Sequence, residues 1–456
     1  MAVLLIAIPL LFAFVSILNK KYAFYLLALV AAFNFVFSFF LEKGMYSIGG
    51  FGPFGINLLV DQYALIGLWL LNGLFFLTVM INLKASKKLA TVLIVLLAGI
   101  NGLLLTNDLF NLFVFLEITG ISAYLLTTEN KKPVSSFNYL VQGTVGSGLY
   151  LLGLVILYSM IGTLNMSDVI SRIYTIGATP TTLLLPFMLM FIGLGVEAKL
   201  LPFNSWVKGV LEKAKPLSGT LVSSVIAGTI LLVFGRLLTT VMVISNADML
   251  ITIILIATII AGEVAAFKST RIREILLFSS IGQAGLVVYL FTHGLLMQGV
   301  LLIIANVLSK FVLFTIGASL AEAAGDEVEE LRGAFKNNKL LGIGFTVAAL
   351  SVTGLPLFFG FVVKLNVLLG IFGSYDLITP IIILVVSLIE GVYFIKLLMK
   401  LWYGESNVQI KNVLMTVSVL SVAVVLIVLG VYYQPMMDLV APIKDEMIMI
   451  IQGGSF

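Results

Sequence analysis

The sequence predicts an all-α polytopic membrane protein with about 14 transmembrane helices. Of its 456 residues, 61% are hydrophobic and only 11% are charged, against roughly 25% charged in soluble domains. The mean hydropathy is +1.17. Most of the chain consists of apolar runs near the ~20 residues that a helix needs to cross ~30 Å of hydrocarbon. The basic residues also lie mainly in alternate loops, as they do in chains threaded repeatedly through a membrane.

The apolar runs define fourteen predicted spans, near residues 1–18, 22–41, 60–83, 89–105, 107–128, 137–161, 183–213, 216–243, 249–267, 273–291, 295–321, 340–373, 377–402 and 412–433. With this assignment, 18 of the 26 basic residues fall in one set of alternate loops, three fall in the other set (Lys43, Arg172 and Lys444), and five lie within spans. Because basic loops stay cytoplasmic, we expect both termini to face outside. The charges near the N-terminus follow the first apolar run, so we expect a retained span rather than a signal peptide.

Two of the predicted spans, 183–213 and 340–373, are too long for one crossing, and each contains a proline, Pro202 or Pro356. Proline removes a backbone donor and breaks a helix, so we predict that both helices are interrupted. Paired interrupted segments indicate an ion or substrate path between two repeats, although prolines are also common in membrane helices. We therefore predict N-terminal helices in 1–88, a first repeat in 89–243, a second repeat in 249–402, and a last helix and tail in 403–456.

The chain has no cysteine and one histidine, His293. Thiolate-ligated iron–sulfur clusters and cysteine zinc sites are therefore excluded from this chain. No long polar segment offers a nucleotide-binding domain, so we expect no cofactor here and assign any redox chemistry to a partner. The net charge of +4 lies in membrane loops, so we expect lipid contact and no nucleic acid.

Six charged residues within the predicted spans are the candidate ion-translocation site. Charge near the middle of a bilayer costs about 2.5–3.5 kcal/mol on insertion scales and usually faces a partner or water. Amines and carboxylates at one depth suit a proton relay, because each can hold a proton and responds to its neighbour's charge. Each could instead form a structural ion pair. The candidates are Glu117, Glu197, Lys199, Lys310, Lys364 and Glu390.

Four other polar residues are left outside the predicted site. Arg236 and Lys396 lie nearer span ends, where we expect long side chains to reach the interface. Glu263 lies close to the cytoplasmic end of its span, and His293 in a short turn is expected at the surface.

Six stretches of the sequence carry a resemblance to a known family: "FNLFVFLEITGISAYLL", "GLGVEAKLLPFNSWVKGVLEKAKPLSGTLVS", "IREILLFSSIGQAGLV", "ANVLSKFVLFTIGASL", "DEVEELRGAF" and "ALSVTGLPLFFGFVVKLNVLLG". They resemble the antiporter-like membrane subunits shared by respiratory complex I, membrane-bound hydrogenases, sulfur-reducing complexes and Mrp-type Na⁺/H⁺ antiporters, where the chain is like the D-type subunit. The similarity covers roughly residues 100–370. Each stretch is a weak signal alone, and together they are specific.

The resemblance implies fourteen helices with two inverted five-helix repeats (helices 4–8 and 9–13), with helices 7 and 12 broken. It implies a central axis of buried Lys and Glu residues in a multi-pass protein of a prokaryotic plasma membrane. The expected partners are other membrane subunits of a hetero-oligomeric complex and, in some complexes, a cytoplasmic redox module whose subunits carry iron–sulfur clusters or a NiFe centre. Enzymatic activity would belong to such a complex rather than to this chain.

The sequence departs from the family pattern mainly in its first half. Glu197 stands where the family usually has lysine, and Lys199 follows two residues later. Two residues are ~200° apart on an α-helix, so we expect Lys199 to point away from Glu197, unless a π-bulge turns it toward Glu117. Asn204 and Asn306 replace histidines, and ungapped counting puts Gly228 at the position of a basic residue in the eighth helix.

We therefore predict an antiporter-like subunit that translocates H⁺ or Na⁺. In this prediction protons enter by a cytoplasmic half-path and reach Lys310, pass to Lys364 and leave outside. Glu390 is a counter-charge to Lys364, and Glu117 couples to the next subunit. The alternative is a structural or half-conducting scaffold, favoured by Glu197 and Gly228. A transporter of a small solute is a third hypothesis, which no binding constellation supports.

Overall fold

A computed structural model describes residues 1–49, 55–128, 133–242, 248–372 and 378–451. The described chain is almost entirely helical, with one two-stranded hairpin. The elements before the first helix break are α1 (Leu4–Leu18), α2 (Ala23–Phe37), β1 (Gly44–Ile48), β2 (Ile56–Val60), α3 (Gln62–Ile81), α4 (Leu83–Lys88), α5 (Ala90–Leu105), α6 (Leu109–Thr127), α7 (Pro133–Ile161), α8 (Met166–Ile176) and α9 (Pro180–Glu197).

The remaining elements follow the same alternation of long apolar helices and short connections. They are α10 (Ser205–Leu211), α11 (Pro216–Thr220), a π-helical segment (Leu221–Ile226), α12 (Ala227–Thr240), α13 (Asp248–Lys268), α14 (Ile272–Thr292), α15 (Leu296–Ala324), α16 (Lys339–Thr353), α17 (Phe359–Phe372), α18 (Ile378–Trp402), α19 (Val413–Val431), α20 (Gln434–Val440) and α21 (Pro442–Ile451).

Eleven helices in the described ranges are long and apolar enough to cross a membrane. Four further apolar helices, α1, α5, α16 and α17, are shorter. The two long predicted spans are each divided, as expected: α9 and α10 are separated by residues 198–204, and α16 and α17 by residues 354–358. The multi-pass helical fold is therefore confirmed, while the count of 14 spans stays a prediction.

The centre of the bundle is formed by α15 and by the helical stretch from Pro216 to Thr240, whose apolar windows are completely enclosed by protein. Helix α15 packs against α11, α12, α14, α16 and α17. Helices such as α2, α18 and α19 have many exposed apolar side chains, as expected for surfaces that face lipid or other membrane subunits. Lys310, in the middle of α15, is thus kept away from the bilayer.

Arg236 on α12 is a correction to the sequence prediction. Its guanidinium does not reach an interface but is buried, with Nη2 2.7 Å from Asp61 Oδ1. Asp61 also caps α3 by accepting the Ala64 N–H (2.8 Å). The Tyr63 ring lies 5.1 Å from the guanidinium carbon. The pair therefore joins the start of α3 to the end of α12.

The C-terminal segment folds back onto the N-terminal part of the bundle. Glu446 on α21 accepts the backbone N–H of Gln62, the first residue of α3, at 2.6 Å. Its other oxygen is 2.6 Å from Lys43 Nζ. A carboxylate at a helix N-terminus satisfies free donors and complements the helix dipole, so α21 stabilises the start of α3.

On the face that carries the basic loops, Arg271 links three parts of the chain. Its guanidinium is 3.0 Å from Glu327 and 3.2 Å from Glu212. The hydrogen bond with Glu327 raises the pKa of Arg271 and lowers the pKa of Glu327. These partly exposed groups connect the region after α10, the start of α14 and the loop after α15.

Candidate ion-translocation site

The two helix breaks end in the same hydrogen-bond pattern. At the first, Leu200 N–H donates to Gly195 O (2.9 Å) and Lys199 N–H to Val196 O (3.3 Å). At the second, the corresponding bonds run from residue 355 to residue 350 (3.1 Å) and from residue 354 to residue 351 (3.0 Å). This is the Schellman arrangement, in which the residue after the helix cap is left-handed and is usually glycine.

Lys199 occupies the left-handed position of the first break, where the second break has Gly354. Their φ angles are +65° and +78°. The left-handed conformation costs a residue with a Cβ roughly 1–2 kcal/mol, a cost that glycine avoids. A glycine at position 199 would adopt this left-handed conformation at a lower energy than the lysine does.

The conformation of Lys199 explains where its side chain lies. The helix ends at Glu197, so the 200° spacing does not apply to Lys199, and the left-handed backbone sets the direction of its side chain instead. Both residues line one small cavity of about 10 Å³, together with Ser280 and Lys310, which is about the space of one water molecule. Lys199 Nζ is 3.5 Å from Ser280 Oγ. The amine thus reaches the second half of the protein.

We expect Lys199→Gly to be more stable than Lys199→Ala by roughly 1 kcal/mol, because only alanine keeps the left-handed penalty. Both substitutions remove the amine, so their difference isolates the backbone effect. Denaturant unfolding of the two purified variants in mixed micelles measures it. Equal stabilities would show that residue 199 carries no such strain.

Glu197 lies in an aromatic pocket formed by α6, α7 and α10. Tyr124 and Tyr139 donate their hydroxyls to its two carboxylate oxygens, at 3.2 and 3.3 Å. Tyr139 stacks on Trp206 with ring centroids 3.8 Å apart. The carboxylate is therefore held by two neutral donors rather than by an ion pair.

Glu117 is half-buried on α6 and acts on Glu197 through its charge. The structure does not bring Lys199 into an ion pair with Glu117 within the described ranges. The π-helical segment lies at 221–226 rather than at Lys199. In the first half, Glu117 and Glu197 supply the two carboxylates, and the Lys199 amine points to Ser280 on α14.

Gly228 leaves no room for a basic side chain at this place on α12. A Cβ there would lie 2.6 Å from Val307 Cγ2, closer than real Cβ contacts, and 3.0 Å from Leu71 Cδ2. Helix α12 therefore packs closely on α15 at the position where the resemblance expects a basic group.

Lys310 lies at the centre of the bundle on α15, where it is only 5% exposed. Its side chain lines the small cavity shared with Glu197 and Lys199. On its other side it interacts electrostatically with Glu390 and Glu263. Lys310 thus lies between the lysine of the first break and the acidic residues of the second half.

Lys364 and Glu390 form the ion pair of the second break. Their Nζ and Oε2 atoms are 2.6 Å apart. Lys364 Nζ also donates to the backbone carbonyl of Thr353 (3.3 Å), the last residue of α16. The other oxygen of Glu390 accepts from Gln283 (2.9 Å) and from Ser279 (3.5 Å). The predicted counter-charge is therefore in contact with Lys364.

Glu263, which the sequence prediction leaves outside the site, is 1% exposed on α13. Tyr393 donates to its carboxylate at 2.8 Å. Charge inside an apolar helix was a usable signal, but the nearness of residue 263 to the end of its span obscured it. No cluster of three or more potential metal-ligating side chains occurs in the part of the chain that the structure describes.

These positions define a class: a multi-pass helical membrane protein with two interrupted helices and buried ionisable side chains near both breaks. Residues 106–390 match the family described as NADH:quinone oxidoreductase/Mrp antiporter, transmembrane. The chain belongs to this family.

Two curated relatives illustrate the range of the family. The chain is 26% identical to the D subunit of the Na(+)/H(+) antiporter of Bacillus subtilis (strain 168), over 79% of this chain and 76% of the relative. It is 28% identical to the N subunit of the NADH-quinone oxidoreductase of Desulforudis audaxviator (strain MP104C), over 78% and 75%.

Solved structures agree with this assignment. A chain of the membrane-bound sulfane sulfur reductase, an archaeal respiratory membrane complex, superposes with a TM-score of 0.90 at 28% identity, covering 99% of this chain and 98% of that one. A chain of the Mrp complex from Dietzia sp. DQ12-45-1b gives a TM-score of 0.88 at 19% identity, covering 99% of each chain, and shares the fold. These neighbours are subunits of multi-subunit membrane complexes.

Proposed function

We propose that the chain is a proton-translocating, antiporter-like subunit of a complex I-related or Mrp-type membrane complex. The observation that carries the proposal is the row of buried ionisable groups between the two helix breaks. It runs from Glu197 and Lys199 through Lys310 to the Glu390–Lys364 ion pair. Ammonium groups repel metal cations but can hand on protons, so the row favours H⁺ as the translocated ion.

The geometry supports a sequence of charge-coupled steps. A proton held by Lys310 strengthens its attraction to Glu390, which competes with the attraction of Glu390 to Lys364. When Lys364 is released from that pair, its proton can leave by the second break, where Thr353 O already lies 3.3 Å from Nζ. The next proton on Lys364 restores the pair. Helix breaks aid this step because backbone groups that leave the helix can form hydrogen bonds with water.

The repeat architecture is part of the proposal. The fourth to eighth predicted spans, within 89–243, and the ninth to thirteenth, within 249–402, would be inverted repeats. They are flanked by 1–88 and 403–456. The matching hydrogen bonds at the two breaks support this division, as does the spacing of 154 residues between Pro202 and Pro356. Ion paths at repeat interfaces are typical of such folds.

The proposed setting is a prokaryotic plasma membrane with both termini outside. The partners would be further membrane subunits, and Glu117 would couple to the neighbour. In a respiratory complex, iron–sulfur or NiFe cofactors would belong to a cytoplasmic redox module. The relatives named above as antiporter and oxidoreductase subunits support this setting.

We expect Lys310→Ala to reduce proton translocation about tenfold or more, because a positioned proton-carrying group contributes about 10²–10⁴-fold to transfer. The measurement is acidification in proteoliposomes that contain the complete complex. Thr315→Ala, one to two turns away on α15, is the matched control and should keep pumping. Normal pumping by Lys310→Ala would remove Lys310 from the path, and normal pumping by Lys364→Ala as well would favour a scaffold.

A further inference from the structure

A cavity of about 350 Å³ with a mixed polar and apolar lining opens between α13, α14 and α18 on the face that carries the basic loops. This is the cytoplasmic face in the proposed orientation. The polar residues of its wall are Ser269, Thr270, Tyr393, Lys396 and Lys400. A cavity of this size holds several water molecules, so it can bring water part of the way into the bundle.

Tyr393 connects this cavity to the buried carboxylates. It is the buried polar residue of the wall, at 4% exposure. Its hydroxyl donates to Glu263 at 2.8 Å and also interacts with Ser279. Ser279 Oγ is in turn 3.5 Å from Glu390. The hydroxyl groups of Tyr393 and Ser279 thus bridge the two carboxylates.

Glu263 is placed to influence both lysines of the second half. Its carboxylate lies against Gly282 of α14, where a Cβ would come within 2.6 Å of Oε1. Its charge interacts with Glu390, Lys364 and Lys310. Protonating Glu263 therefore removes a negative charge that attracts the ammonium groups of Lys310 and Lys364.

We propose that the cavity, Tyr393 and Glu263 form a proton-uptake path from the cytoplasmic face to the lysine row. The inference rests on the proposed function, because it supplies protons to the same row. Water at the cavity wall gives a proton to the Tyr393 oxygen as the Tyr393 hydroxyl proton passes to the Glu263 carboxylate. Tyrosine ends neutral, the carboxylate becomes a carboxylic acid, and the water that gave the proton regains one from bulk solvent.

The first experiment uses Glu263→Gln and Tyr393→Phe in the intact complex reconstituted in liposomes. We expect Glu263→Gln to lower proton translocation about tenfold or more, and Tyr393→Phe to lower it as well because the ring stays but the hydroxyl is lost. Glu263→Asp should retain more translocation than Glu263→Gln, which a purely structural role of a full-length side chain would not produce. Wild-type rates in both Glu263→Gln and Tyr393→Phe would overturn the proposal.

The second experiment uses the absence of cysteine from this sequence. Thr270→Cys places a thiol in the cavity wall, and Lys336→Cys places one at an exposed position on the same face. A charged, membrane-impermeant thiol reagent applied from the cytoplasmic side should label both. Labelling should slow translocation only in Thr270→Cys. Unchanged translocation after full labelling of Thr270→Cys would contradict an uptake path through the cavity.

Lys364→Ala distinguishes failure of this inference from failure of the proposed function. If Lys364→Ala stops translocation while Glu263→Gln, Tyr393→Phe and labelled Thr270→Cys all translocate normally, the uptake path is wrong and the lysine row stands. If Lys364→Ala also translocates normally, the proposed function itself fails.

Discussion

Lys364→Ala should strongly reduce proton translocation by the assembled complex. Lys364 is the amine of the second helix break and forms a 2.6 Å ion pair with Glu390, which is itself 1% exposed. Removing the amine takes away a proton carrier and leaves a buried carboxylate without its partner, which is costly in a low-dielectric interior. We expect at least a tenfold lower rate, the scale of a lost proton-transfer group, measured as acidification in proteoliposomes.

Two further variants separate these two effects of Lys364→Ala. Lys364→Ala/Glu390→Gln removes both charges, so it should recover stability but not translocation. Lys339→Ala is the matched control, since Lys339 is exposed at the first residue of α16 and lies outside both the lysine row and the uptake cavity. Translocation restored by the double variant would mean that Lys364 serves only to neutralise Glu390.

Arg236→Ala should lower the free energy of unfolding by about 3–5 kcal/mol, the range for breaking a buried ion pair from one side. The pair has 5% and 1% of its side chains exposed, and Asp61 Oδ2 already has no hydrogen-bond partner in the structure. Asp61 would be left charged at the start of α3. Denaturant unfolding in mixed micelles measures the loss.

The matched surface comparison is Arg332→Ala, whose partner Glu329 is well exposed. That substitution should cost less than about 1 kcal/mol. The double variant Asp61→Asn/Arg236→Met should regain much of the stability, because a neutral amide can still cap α3 and no charge remains buried. A loss below about 1 kcal/mol in Arg236→Ala would show that the pair behaves like a surface contact.

The helix breaks and the Lys364–Glu390 contact could be predicted from the sequence. Proline inside a run too long for one crossing is a local signal, and a charge in mid-span needs a partner at similar depth. The position of Lys199 could not be predicted in the same way. Helical periodicity was applied to a residue that lies beyond the end of its helix, where a left-handed backbone sets the direction of the side chain.

The buried contacts of Arg236 and Glu263 could not be predicted, because their partners are remote in the sequence. Asp61 and Arg236 are 175 residues apart, and Glu263 and Tyr393 are 130 apart. The distance from a span end decides whether a long side chain can reach water. Whether that side chain instead has a buried partner depends on how distant parts of the chain pack together. A single sequence carries no signal for contacts of this kind.

The contact between α21 and α3 has a consequence for biosynthesis. Glu446 leaves the ribosome 384 residues after Gln62, so the first turn of α3 enters the membrane without the carboxylate that later binds it. Until then its free N–H groups depend on Asp61 and on water. The N-terminus of α3 therefore gains its contact with Glu446 only after the C-terminal segment has been synthesised. Factors that assist insertion would meet α3 before this contact forms.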